Sequence, residues 1–140
     1  MISTALAREL SEAGLVWTPA SGDSFQIGLP DFEGDVFTVS DMTIEAHTYS
    51  TGTVLGFNGT TEWALDSVAL DDALWLPRED QLREFLRGTF RSLERSVDAR
   101  GRSAYTVTIE LGGADRATTE DDAAEAYGRA LLALMSAARR

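Results

Sequence analysis

The chain contains neither cysteine nor lysine. Without cysteine there is no disulfide, no thiol nucleophile and no Cys-type zinc site. Without lysine there is no Schiff-base nucleophile and no phosphate-cradling P-loop lysine, which excludes ATP hydrolysis at a Walker-type site. All twelve basic residues are arginine, and His47 is the only histidine. One histidine cannot supply H-E-x-x-H or any multi-histidine metal centre, so a metal would have to be held by carboxylates. The glycines form no G-x-G-x-x-G fingerprint, and G-x-S-x-G, the anchor of a hydrolase triad, is missing. No apolar run approaches the roughly 18 residues needed to span a bilayer. The opening MISTALARELSEAGL sets Arg8 and acidic residues among its apolar ones, unlike a signal peptide. These absences predict a cytoplasmic protein with no cofactor, no metal and no membrane association.

What is present describes a folded domain. The 140 residues are 44% apolar and 25% charged, an ordinary globular composition. A chain of this size buries roughly 68–70% of its unfolded surface without a staple. No repeat, low-complexity segment or linker divides the sequence, so residues 1–140 read as a single domain.

Charge is the most uneven property. The net charge is −11, and between Glu9 and Pro77 there are twelve acids and no arginine; from Arg78 to Arg140 eleven arginines balance eleven acids. A negative field repels phosphate backbones, which argues against direct nucleic-acid binding. It leaves room for a basic protein partner, for packing of unequally charged halves, or for acids that only keep the surface soluble.

The pattern of elements predicts an α+β fold, an antiparallel sheet of several short strands covered by N-terminal, central and C-terminal helices. Ser3 caps a first helix with Leu6 and Leu10 on one face and Gly14 at its end. Phe25, Ile27 and Leu29 alternate as a strand stopped by Pro30. Residues 36–49 alternate in part, and 42–57 reads as a hairpin about STGT, with Asn58-Gly59 as a second turn and WALDSV returning as a third strand. Leu82, Phe85 and Leu86 recur at helical spacing, with Pro77 at the first helical position and Gly88 as the stop. FRSLERSV and AYTVTIEL are strands joined by DARGRS; Gly112-Gly113 turns the second into a brief ADRAT strand. A last helix begins near Glu120 under a Thr118 or Thr119 cap, with Ala123, Tyr127, Leu131 and Leu134 as its apolar stripe.

Candidates for chemistry are few. His47 titrates near neutrality and shares a strand face with Glu45, with Asp41 nearby, the best set for a small-ligand site or general base, although no nucleophile or metal motif accompanies it. Asp41, Glu45, Glu62, Asp66, Asp71 and Asp72 show no spacing specific for a glycosidase pair or a calcium loop; a solvated acidic face accounts for them. Phe57, Trp63 and Trp75 would make an aromatic contact patch if exposed together, and core if buried. Arg83, Arg87, Arg91 and Arg95 recur every four residues; with Gly88 breaking a helical stripe, their simpler use is pairing with the acidic first half.

Three stretches, AGLVWTPASGDSF, VFTVSDMTIE and GFNGTTEWALDSVALDDALWLPREDQLREFL, resemble a family of small actinobacterial proteins often labelled pilus assembly protein CpaE. The similarity covers residues 1 to 95 well and the remainder more loosely. It implies a bacterial source and carries no catalytic or binding residue. The functional expectation is therefore a non-enzymatic module that binds a protein partner or forms a homodimer. An enzyme or small-ligand protein built on His47 is the alternative. A nucleic-acid mimic presenting carboxylates in a double row is the weaker one.

Overall fold

The computed structural model describes residues 1–40, 44–49, 52–57 and 67–139. In chain order they form α1 (Thr4–Glu12), β1 (Ser24–Ile27), β2 (Val36–Thr38), β3 (Ile44–Tyr49), β4 (Gly52–Phe57), β5 (Ser67–Ala69), β6 (Ala73–Leu76), α2 (Glu79–Leu86), β7 (Phe90–Val97), β8 (Ser103–Leu111), β9 (Ala114–Glu120) and α3 (Ala123–Ala138). The chain is α+β, and every strand pairing described is antiparallel. The strands make three three-stranded sheets, ordered β2-β1-β6, β3-β4-β5 and β7-β8-β9. Two compact units result: Met1–Leu15 with Pro77–Arg140, and the segment Val16–Leu76 inserted between them. All three helices belong to the discontinuous unit, with sheet β7-β8-β9; among the described residues the inserted unit has strands and short 3-10 turns only.

In the discontinuous unit α3 packs on β8 and β9 and also meets α1 and α2. Ser3 Oγ accepts the Leu6 N–H at 3.2 Å, satisfying one of the donors that a helix start leaves over. Gly14, at φ 108°, ends that helix in a conformation that costs a side-chain-bearing residue energy. Leu6 and Leu10 are fully buried, as are Val107 and Ile109 of β8. Tyr127 is buried on α3, its ring centroid 5.9 Å from that of Phe90.

Two helix starts lie downstream of where the sequence suggests them. α3 begins at Ala123 with Asp122 as its cap, whose Oδ1 accepts the Glu125 N–H at 3.2 Å. Thr118 and Thr119 instead pair with Val107 and Thr106, so the strand runs on to Glu120. Their β-branched side chains suit a pleated surface better than a helix start, and an acid at position 122 offers a competent cap. Likewise α2 begins at Glu79, not Pro77. Arg78 is extended, and its N–H donates to Gln81 Oε1 at 3.0 Å, the reciprocal half of a capping box. The stop comes at Arg87, which itself adopts φ 51°, one residue before Gly88.

The inserted unit is organised on aromatic side chains. Register places Phe37, Phe25 and Trp75 in one row across β2, β1 and β6. Trp17 lies 5.5 Å from Phe25 and stacks on Trp75 at 6.3 Å with planes 10° apart. Phe25 and Ile27 are buried, with Phe32 and Val39 closing the cluster. Asp23, only 2% exposed, accepts the Trp17 indole N–H and the Ala20 N–H through one oxygen, both at 3.0 Å. β3 and β4 pair from Ile44 opposite Phe57 to Tyr49 opposite Gly52, as the hairpin reading requires. β5 pairs with β4 through Ser67–Ala69, which overlaps WALDSV only at Ser67 and Val68; Trp63 to Asp66 lie outside the described residues. The Asn58-Gly59 turn lies outside the described residues. β6 has no counterpart in the sequence reading, because ALWL is a short apolar run without alternation.

Candidate functional site

The residues singled out from sequence do not assemble into one described site. Asp41 and Trp63 lie outside the described residues. Glu45 and His47 fall on β3, opposite Gly56 and Val54 of β4, and Phe57 ends β4 opposite Ile44. Trp75 is half-buried on β6 and packs against the aromatic core, stacked on Trp17. Among the described residues no three His, Asp or Glu side chains are placed to hold a metal ion.

What the fold does assemble is negative charge. β1 ends where β2 and β6 begin: Gln26 lies opposite Val36, and Ile27 opposite Ala73. The Gly28 N–H donates to the Asp72 carbonyl at 2.7 Å, closing the same end of the sheet. The segments 30–35 and 70–72 therefore emerge together, and Asp31, Glu33, Asp35, Asp71 and Asp72 are all exposed there. Each segment is held by an apolar anchor. Phe32 is buried between Asp31 and Glu33, its ring 6.1 Å from Phe37, and Leu70 packs against the same core ahead of Asp71. Burial of the anchor forces its polar neighbours outward.

No cation of the inserted unit offsets this. It holds ten acids and no arginine, whereas the discontinuous unit holds thirteen acids and twelve arginines. Several cations of that unit pair with its own acids. Arg129 meets Glu9 at 2.6 Å, Arg78 meets Asp80 at 3.2 Å, and the Met1 ammonium meets Asp122 at 3.2 Å. Of the arginine series read as pairing with the acidic first half, Arg91 instead pairs with Glu110 on the adjacent strand and Arg95 donates to Ser103 Oγ at 2.8 Å. Cross-strand neighbours reach them with less loss of side-chain freedom than a distant acid would demand.

A cavity of about 590 Å³ opens at one end of sheet β7-β8-β9, between Ser96, Asp98, Arg102, Thr119 and Glu120. Its Asp98 is committed to the turn: Oδ1 accepts the N–H groups of Arg100 and Arg102, both at 2.9 Å. Of its hydroxyls, Ser103 Oγ accepts from Arg95 at 2.8 Å and Thr119 Oγ1 shares a hydrogen bond with Thr106 Oγ1 at 2.8 Å. The acidic end of sheet β2-β1-β6 is thus the described surface with the most marked chemical character. Dispersed carboxylates of this kind attract cations at a distance and repel anions. DFEGD and LDD lie far apart in the sequence, and only the antiparallel order of β2, β1 and β6 brings them to one end.

No protein-family model, no curated protein and no solved structure matches the chain. Among the described residues no helix is long and apolar enough to cross a membrane.

Proposed function

We propose that the chain is a non-enzymatic protein-interaction module whose inserted unit docks a cationic segment of a partner protein at the acidic end of sheet β2-β1-β6. The observation that carries this reading is the exposure of Asp31, Glu33, Asp35, Asp71 and Asp72 at one sheet end, in a unit without a single arginine or lysine. Such a field steers a basic partner and raises its rate of encounter, while exposed pairs formed on contact add little each.

The test is titration of the intact chain with an arginine-rich peptide at several ionic strengths. Affinity falls as salt rises, because charges further apart than the Debye length of about 8 Å at physiological ionic strength are screened. Neutralising the five acids to Asn or Gln weakens binding and flattens the salt dependence, whereas neutralising Glu84 and Asp115 of the other unit does neither. Affinity indifferent to salt, or to the five substitutions, would overturn the reading.

A further inference from the structure

β7 is an edge strand of eight residues, and among the described residues no strand pairs with its outer side. Natural edges of this length are normally blunted by proline, lysine, inward charge or a bulge. β7 has no proline or lysine; its one bulge lies at its start, between Phe90 and Ser92, and Arg95 is its single inward charge. From Ser92 to Val97 the pairing with β8 is regular, so every second residue there turns its N–H and C=O toward the open side.

The side chains along that edge form a readable row. Leu93, Arg95 and Val97 lie opposite Val107, Tyr105 and Ser103 of β8, so they share the face on which Val107 is buried. α3 packs over β8 and β9, and the apolar layer thins toward β7: Leu93 is 39% exposed and Val97 53%. Arg95 stands between them, exposed. The opposite face carries Ser92, Glu94 and Ser96, two of them small.

A second copy of β7 fits this row badly. Two-fold antiparallel pairing keeps each residue opposite one of its own face. Centred on Arg95 it sets Arg95 against Arg95, and centred on Glu94, Glu94 against Glu94. Centred on Ser92 or Leu93 it runs into the bulge at Arg91. Centred on Ser96 it sets Glu94 against Asp98, and centred on Val97 it runs past the strand into the turn that Asp98 and Gly101 close. Like charges directly opposite are destabilising.

We infer that β7 receives an extended peptide strand from a partner protein, with an acidic side chain opposite Arg95 and apolar side chains two residues to either side, opposite Leu93 and Val97. Main-chain hydrogen bonds to the open edge supply the affinity and the apolar–acidic–apolar alternation supplies the choice of sequence. This surface belongs to the discontinuous unit and takes a partner of opposite sign to the one proposed for the inserted unit.

The test uses the intact chain and two synthetic peptides centred on Val-Thr-Glu-Thr-Val and Val-Thr-Lys-Thr-Val. The glutamate peptide binds about fivefold more tightly, the worth of exchanging an attractive cross-strand pair for a repulsive one. Amide exchange slows in residues 91–97. Arg95→Glu inverts the preference, Arg95→Gln removes it, and Leu93→Asp weakens both peptides. Equal binding of the two, no slowing in β7, or a preference that survives Arg95→Glu would overturn the inference. So would self-association by light scattering that Leu93→Asp abolishes, which would hand the edge to a second copy. Binding of the arginine-rich peptide is unaffected by Arg95→Glu on either outcome, so failure here and failure at the acidic end are read separately.

Discussion

A Cβ built on Gly128 of α3 would stand 2.6 Å from Cδ2 of Leu6 on α1, and 3.3 Å from Leu6 Cγ and Ile2 Cδ1. Leu6 is fully buried, so it has no solvent to retreat into. Alanine at 128 gains about 1 kcal/mol of helix propensity but overpacks the contact at about 1–3 kcal/mol. Gly128→Ala is therefore expected to lower the urea midpoint, and its cost to vanish in a Leu6→Ala background, where the clashing methyl is gone. An additive pair of substitutions in that double-mutant cycle would contradict the packing account.

Asp23 is the buried acid that holds the Trp17 loop onto its sheet. Asp23→Ala leaves the Trp17 indole N–H and the Ala20 N–H without their shared acceptor, a loss of about 2–3 kcal/mol for charge-assisted bonds in a buried setting. Asn at 23 retains a carbonyl acceptor and costs less. Tryptophan emission followed through denaturation reports the difference between the two variants.

All three tryptophans, Trp17, Trp63 and Trp75, lie in the inserted unit, whereas all three described helices lie in the other. Tryptophan fluorescence therefore follows one unit and helical circular dichroism the other. Ten acids without a compensating arginine repel one another, and salt screens that repulsion. Raising ionic strength is expected to move the fluorescence transition to higher urea while leaving the dichroism transition nearly in place. Equal shifts of both would refute a charge effect confined to Val16–Leu76.

Arg87 adopts φ 51° with ψ −135°, a region that favours glycine. Non-glycine residues held in sparsely populated backbone regions cost about 1–3 kcal/mol. Arg87→Gly removes that strain but loosens the unfolded chain, which takes back part of the gain. The expected result is a net stabilisation of about 1 kcal/mol, seen as a higher urea midpoint with an unchanged slope.

The alternation of Tyr105, Val107, Ile109 and Leu111 predicted a strand, and the stripe Ala123–Tyr127–Leu131 a helix face, because both patterns follow from backbone period alone. Ser3 caps α1 as read. The expected Thr118 or Thr119 cap gives way to Asp122, because strand pairing with Val107 and Thr106 takes both threonines. Glu45 and His47 were readable as strand neighbours two residues apart. Their sequence spacing carries no information about which groups a distant strand would bring near them.

Composition determined the absence of thiol, lysine and multi-histidine chemistry, and residue order determined the negative charge of the first half and the local identity of most helices and strands. Those properties depend on residue type and on neighbours within a few positions. The tertiary structure decided that Val16–Leu76 forms a unit inserted in another, that DFEGD and LDD meet at one sheet end, and that β7 is an edge rather than a central strand among the described residues. Strand order is set by backbone pairing between residues far apart in the chain, as when Phe25 lies opposite Trp75. A period of two is the same for a strand at the edge of a sheet as for one at its centre.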